Sequence, residues 1–359
     1  MRLAIISFTE RGGRLGRLLG QSFRENGHEA DSCEKRSGTA GESLREWTSR
    51  AFAAYDGLIF VGACGIAVRA IAPFLKDKFT DPAVVVLDEG ANFAVSLLSG
   101  HVGGANELCR LAAAFSGAVP VISTATDVNG LFAVDVFAKK NQLVLKDRRL
   151  AKLVSARLLS GARIPFYSTR PLADQAPGEL AVFERAEEFL REPGLKIAVS
   201  ERILAEERTL EGRPSETDGI LYLVPRSVTV GMGCRRGAGK EALSEALDRV
   251  FSDAGIFPEA LAGVATIERK KDEEGLILLT KSRKVPFLWY TAEELLDVPG
   301  EFSCSDFVEK TVGVDCVCER AAVLGSGGGS LLLRKQAADG VTLAAARGEK
   351  PLRFGREKE

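Results

Sequence analysis

Ser96-Leu97-Leu98-Ser99-Gly100-His101-Val102-Gly103-Gly104-Ala105-Asn106 is the stretch around which this chain reads as an α/β protein. It holds one of only two histidines in 359 residues, and Gly100, Gly103 and Gly104 fall within five positions. Upstream, Val84-Val85-Val86-Leu87 is a β-branched run that ends in Asp88 and Glu89. Downstream, Glu107 to Phe115 has the apolar spacing of a helix. Glycines let a backbone turn tightly or approach a ligand closely, and a glycine-rich entry to a helix gathers free N–H groups that suit an anion. A histidine placed there can exchange a proton near neutral pH. The plainer alternative is a tight turn whose histidine only hydrogen-bonds the backbone.

Working outward, the N-terminal part alternates strand, glycine turn and helix, the opening of an α/β domain. Leu3–Phe8 reads as a strand, Thr9–Gly13 as a polar turn and Arg14–Asn26 as a helix. Ser43–Tyr55 reads as a second helix and Gly57–Val61 as a buried strand, followed by a second glycine turn at Gly62-Ala63-Cys64-Gly65 that leads to Arg69. Lys76 and Lys78 precede the Val84 strand, and Val119–Ile122 is another strand, ending in Ser123-Thr124-Ala125-Thr126-Asp127. Ligands in open parallel sheets collect at the carboxyl ends of strands. Three such ends, at Val61, Leu87 and Ile122, each deliver glycines, hydroxyls or acids, which places a site in the first ~140 residues.

The middle of the chain is poorer in chemistry. Asp147–Leu159 reads as a basic helix, and Ile164–Tyr167, Leu195–Val199 and Ile220–Val224 as strands of a small spacer or wall. Val228-Thr229-Val230 begins a third part, with a glycine turn at Gly231-Met232-Gly233-Cys234-Arg235-Arg236-Gly237 and a helix from Lys240 to Phe251. Two phosphate-binding templates nearly fit this turn and fail. The dinucleotide pattern needs its third glycine three positions after the second, not four, and in the other pattern Cys234 and Glu241 stand where Gly and Ser/Thr are required. Arg235 and Arg236 remain good partners for carboxylates, because guanidinium forks match them. Ala265–Ile267, Phe287–Tyr290 and Val341–Ala344 read as further strands and Val317–Leu324 as a helix. The fold class expected is α/β: three α/β modules at 1–140, 141–226 and 227–359, the first and last with sheets flanked by helices.

Length and composition agree with this division, since ~100–200 residues make a domain. The 48 basic and 49 acidic side chains leave a net charge of −1, so there is no global basic field and nucleic acid is not the expected partner. No apolar run approaches the ~20 residues of a membrane span, and the short apolar opening Leu3-Ala4-Ile5-Ile6 reads as a strand rather than a signal peptide. Seven scattered cysteines without a CxxC pair suggest neither a disulfide framework nor a zinc site. Cys316 and Cys318 read as strand cysteines facing opposite sides. The expectation is a reduced, cytoplasmic protein.

Gly65-Ile66-Ala67-Val68-Arg69, Asp81–Val86, Ser96–Asn106 and Thr124-Ala125-Thr126-Asp127, with Gly231–Gly237, Ala265-Thr266-Ile267 and Cys318-Glu319-Arg320-Ala321-Ala322, resemble the cobalt-precorrin-5A hydrolases (CbiG type) of anaerobic cobalamin biosynthesis. That resemblance covers nearly the whole chain, and Ser-Leu-Leu-Ser-Gly-His-x-Gly-Gly-Ala-Asn is its most specific part. It implies a cobalt-bearing tetrapyrrole substrate whose δ-lactone is opened by water with release of acetaldehyde. Cobalt then belongs to the substrate, and no cofactor or metal of the protein's own is expected. On this reading His101 is the candidate general base, with Asp88, Glu89 or Asp127 to orient it or move the proton. Gly103 and Gly104 N–H groups would hold an oxyanion. Ser99, Asn106, Thr124 and Thr126 would line the site, and Arg69, Lys76, Lys78, Arg235 and Arg236 would meet substrate carboxylates. Neighbouring pathway enzymes are the further partners expected, and no membrane. The competing readings are a non-catalytic tetrapyrrole carrier, which would tolerate loss of His101, and a nucleotide-dependent α/β enzyme.

Overall fold

A computed structural model describes residues 1–35, 41–77, 80–101, 103–204, 218–304, 313–338 and 340–355, with backbone alone at Thr126 and Ala338. It is a mixed α/β protein with three sheets, which fall into two compact units, Met1–Val136 and Phe137–Glu359.

The first unit is built on β1 (Arg2–Ser7), β2 (Glu29–Glu34), β3 (Gly57–Val61), β4 (Ala83–Leu87), β5 (Phe93–Leu98) and β6 (Val119–Val121), in the order β2-β1-β3-β4-β5-β6. β3 and β4 are buried along their whole length, as strands covered on both faces must be. Leu3, Ile5, Ile59 and Val85 point to one face and pack with Leu19, Phe23, Leu108 and Ala112 of helices Glu10–Glu25 and Ala105–Ser116. Ala4, Ile6, Phe60 and Val86 point to the other and pack with Trp47, Ala51, Ala67 and Ile71 of helices Leu44–Ala54 and Cys64–Ile71. Each large side chain buried this way contributes about 1.5–3 kcal/mol before entropic costs.

Two local readings change. Thr9–Gly13 is not a free turn: Thr9 caps a helix that starts at Glu10, its hydroxyl accepting the Gly12 N–H at 3.0 Å. Gly12 and Gly13 lie on that helix because the space is taken. A Cβ on Gly13 would sit 2.4 Å from Glu34 Oε2.

The larger correction concerns the sheet. The sequence offers no strand between Val84–Leu87 and Val119–Ile122, and so gathers Val61, Leu87 and Ile122 at one edge. β5 intervenes and runs antiparallel to β4, while β6 is parallel to β5. The carboxyl ends of β3 and β4, with Gly62, Asp88 and Glu89, therefore lie at one edge of the sheet. The carboxyl ends of β5 and β6, with Ser99–His101 and Ser123–Asp127, lie at the opposite edge.

The second unit holds β7 (Leu143–Leu145), β8 (Ile164–Ser168), β9 (Leu180–Phe183), β10 (Leu195–Val199) and β11 (Gly219–Pro225) in the order β7-β11-β10-β8-β9, all parallel except β7. Its other sheet is β14-β13-β12-β16-β15, with β12 (Val228–Cys234), β13 (Leu261–Ile267) and β14 (Phe287–Tyr290) parallel and β15 (Ser330–Ala338) and β16 (Val341–Arg347) antiparallel. One core runs through both sheets, from Phe189, Ala198 and Val224 to Val230, Leu243 and Leu343. The nearly buried Arg170 reinforces it, its Nε 3.3 Å from Glu201 Oε1.

Gly231–Cys234 is not the first part of a turn but the second half of β12. A Cβ on Gly231 would lie 1.7 Å from the carbonyl oxygen of Cys318, so that glycine lets helix Val317–Gly325 lie directly on the strand. Cys316 and Cys318 are not on a strand either. Cys316 caps this helix, Cys318 lies in its first turn, and their buried Sγ atoms are 3.9 Å apart. The hydrogen bond between the two thiols lowers the Cys316 thiol below its ordinary value, despite burial. No helix among the described residues is long and apolar enough to cross a membrane.

Candidate active site

Ser99 ends β5 with φ +57°, a backbone conformation that costs a non-glycine residue roughly 1–2 kcal/mol. The chain then turns through His101 to Gly104, which caps helix Ala105–Ser116 at φ +89°. The turn is closed by its own backbone: Gly104 N donates to His101 O at 3.0 Å, Ala105 N to Ser99 O at 3.1 Å and Asn106 N to Gly100 O at 3.0 Å. Close packing requires the other two glycines. A Cβ on Gly103 would meet Ser99 Cβ at 2.3 Å, and one on Gly100 would meet Asn106 Oδ1 at 2.7 Å.

The turn presents His101 to two carboxylates. Its Nε2 lies 2.6 Å from Asp127 Oδ2, and its Nδ1 faces Asp135 Oδ1 at 3.7 Å. Asp127 comes from the short helix Ala125–Val128 and Asp135 from the first turn of helix Val134–Lys140. Asp127 is held on three sides, since Oδ2 also accepts from Asn106 Nδ2 at 2.8 Å and Oδ1 from Arg110 Nη2 at 3.0 Å. Asn106 is 4% exposed and is fixed in turn by the Ser96 hydroxyl, which donates to Oδ1 at 2.7 Å, and by Thr124 Oγ1, which accepts from Nδ2 at 3.1 Å. Thr124 precedes helix Ala125–Val128 without capping it through its side chain.

Asp135 foremost, with Asp127, raises the His101 pKa above the ordinary histidine value, against the opposing effect of burial. The resting ring therefore favours the imidazolium form. His101, Asp127 and Asp135 keep side-chain exposures of 17%, 20% and 14%, so the cluster is reachable from the surface. Beside it, the Ser99 hydroxyl is buried with no hydrogen-bond partner among the described residues.

Of the residues singled out from sequence, His101, Asn106, Thr124 and Asp127 are brought into one network, with Ser99 and Gly103 in the same turn. The Gly104 N–H is committed to His101 O and so is not free for an oxyanion. Asp88 instead closes the β4–β5 turn, accepting from the backbone N–H groups of Gly90, Asn92 and Phe93. Glu89 accepts from the Thr9 hydroxyl at 2.5 Å. The antiparallel β5 is the physical reason neither belongs to the His101 network. Arg69 is exposed and folds back on its own helix, 3.3 Å from Gly65 O. Lys76 is exposed, its N–H bonded to Asp81. Lys78 and the Thr126 side chain lie outside the described residues. Arg235 and Arg236 are exposed in the second unit, just past β12.

Sequence reasoning missed Asp135 and Arg110. Arg110 stands four residues after Asn106, on the same helix face, which is a usable signal. Asp135 lies 34 positions from His101 and carries none.

Comparison with known proteins shows the family. The family descriptions Cobalamin synthesis G N-terminal, Cobalamin biosynthesis central region and Cobalamin synthesis G C-terminus match residues 46–127, 132–225 and 228–346. The chain is 41% identical over 300 residues to a cobalt-precorrin-5A hydrolase of Salmonella typhimurium, covering 82% of each chain. It is 33% identical to a cobalt-precorrin-5A hydrolase of Priestia megaterium, over 96% of this chain and 94% of that one. A solved structure of a cobalamin biosynthesis protein G homologue from Sulfolobus solfataricus aligns over 97% of both chains at 19% identity, with a TM-score of 0.40.

Proposed function

The chain belongs to the cobalt-precorrin-5A hydrolase family of cobalamin biosynthesis, and from that premise we propose that it hydrolyses cobalt-precorrin-5A, opening the δ-lactone and releasing acetaldehyde to give cobalt-precorrin-5B. The observation that carries the chemistry is His101 held between Asp127 and Asp135. Cobalt enters as part of the substrate, and the reaction asks for no nucleotide.

The flanking carboxylates favour the charged form of His101, which suits a first act of proton donation; as the neutral ring it then serves as the general base read from the sequence. Water attacks the lactone carbonyl and gives a proton to Asp135. The ring C–O bond breaks, and His101 protonates the departing alkoxide oxygen. The new hydroxyl then returns that proton to the neutral imidazole. As it does so the carbon–carbon bond breaks, acetaldehyde leaves, the electron pair stays on the conjugated macrocycle, and Asp135 gives up the proton it took from water to solvent, which restores the site. Asp127, fixed by Asn106 and Arg110, keeps the ring aimed through both stages. Acid–base assistance of this kind contributes ~10²–10⁴-fold, about 3–5 kcal/mol at 1.4 kcal/mol per decade. The Gly103 N–H, unlike that of Gly104, remains a candidate donor to the developing oxyanion.

The test is to add purified protein to the lactone substrate anaerobically and trap the aldehyde. One equivalent of acetaldehyde per lactone opened is expected. Tight substrate binding with no aldehyde would support the carrier reading instead.

A further inference from the structure

The second unit contains a cavity of about 780 Å³ that the reading above does not use. Residues 348–353 line it, part of the segment 348–355 that leaves β16 and is pinned along the middle sheet. Arg170 donates to the carbonyls of Gly348 and Lys350, both at 2.7 Å, and Leu352 N donates to Pro171 O at 2.9 Å. Arg353 N donates to Asn141 Oδ1 at 2.8 Å, and the rings of Phe354 and Phe137 stack at 4.7 Å. The segment is thus fixed before any ligand arrives, and preorganisation of that kind lowers the cost of binding.

The charge of the lining is one-sided. Lys140, Arg170, Arg226, Lys350 and Arg353 all line the cavity, against Glu349 as its single acid. Arg170 is paired with buried Glu201; the other four are exposed, and although Lys140 acts on Asp174 and Arg226 on Glu259 at longer range, none is in a direct ion pair among the described residues. Four cations against one acid stand out in a chain whose net charge is −1. The volume falls within the range of pockets that hold small molecules, ~300–1,000 Å³.

The arrangement also says what kind of anion fits. A single phosphate is best held by converging N–H groups at a helix N-terminus or nest. Here the helix ends that line the cavity are the C-terminal ends of Val134–Lys140 and Val317–Gly325, whose dipoles are negative. The cations are instead distributed around the lining, which suits several separate charges on one broad molecule, and guanidinium forks match carboxylates. We propose that this cavity binds a small organic anion carrying several carboxylates, independently of His101.

Calorimetry or fluorescence titration of the full chain tests this, with uroporphyrin as a flat octacarboxylate, citrate as a compact tricarboxylate and inorganic phosphate as the simple anion. At least one polycarboxylate should bind more tightly than phosphate, and its affinity should fall as salt rises. Uroporphyrin alone would mark a macrocycle site, and citrate alone a site for a compact acid. The double variant Lys350→Glu/Arg353→Glu should lose at least ~10-fold in that affinity. The milder Lys350→Gln/Arg353→Gln, should the first not fold, is expected to lose less but in the same direction. Unchanged affinity in a folded double variant would overturn the proposal, as would phosphate binding as tightly as either acid or binding of neither polycarboxylate. None of these results depends on whether acetaldehyde is formed.

Discussion

Asp127 Oδ2 accepts from Asn106 Nδ2 at 2.8 Å, and that same oxygen meets His101 Nε2 at 2.6 Å. The nearly buried amide therefore sets the position of the acid that sets the position of the ring. Asn106→Ala should release Asp127 and leave the Ser96 and Thr124 hydroxyls without their partner. The expected cost is about 1–3 kcal/mol of stability, with a lower kcat and a KM changed far less. A Tm scan beside steady-state kinetics measures both. Unchanged kcat would mean that the amide is only packing.

The second prediction concerns the proton on His101. The chain has only His101 and His28, so both can be followed by NMR titration. His101 should titrate above the ordinary value of about 6.5, with Asp135 as the main cause. Asp135→Asn should bring it down. The sign for stability follows from linkage. A pKa raised on folding contributes stability that is complete below the unfolded value and is lost as pH rises through the folded value. Asp135→Asn should therefore destabilise the protein more at acidic than at alkaline pH. A destabilisation that grows with rising pH would contradict the assignment.

A third prediction tests the second unit. Arg170 Nε lies 3.3 Å from Glu201 Oε1, with side-chain exposures of 6% and 1%. Removing one partner of such a pair strands the other charge and costs about 3–5 kcal/mol. Glu201→Ala should fall in that range by denaturant unfolding. A loss below 1 kcal/mol would show that the remaining contacts of Arg170 suffice.

The fourth concerns the glycine that packs a helix onto β12. A Cβ on Gly231 would lie 1.7 Å from Cys318 O, backbone that cannot give way without moving the helix. Gly231→Ala should destabilise by several kcal/mol, at the exceptional end of point mutations. Gly237→Ala should be milder, because a Cβ there meets nothing within 4 Å and the cost is only that of φ +77°. Equal losses at the two positions would count against a packing role for Gly231.

The last two positions also show what the sequence makes legible. Buried strands announce themselves by continuous apolar runs, so Gly57–Val61 and Val84–Leu87 are plain from sequence. Ser99-Gly100-His101 and Thr124–Asp127 are legible as polar clusters at strand ends, and the structure joins them. The direction of a strand is another matter. Phe93–Leu98 is only partly buried, so its pattern is weak, and its antiparallel course moves Asp88 and Glu89 to the far edge from His101. Glycine is ambiguous for a similar reason. Gly231 and Gly233 look like a ligand loop, yet what Gly231 accommodates is a helix backbone that only tertiary packing brings there. Asp135 belongs to the same class, since its role depends on a spatial neighbour 34 residues away.

The account rests most heavily on His101 as the group that moves the proton. The most direct measurement is the rate of acetaldehyde release from the lactone substrate by His101→Ala, under saturating substrate, beside the wild type. A fall of at least ~10²-fold, with folding and substrate affinity retained, is the expected result. Release by a folded variant at a rate close to that of the wild type would contradict it and remove His101 from the chemistry.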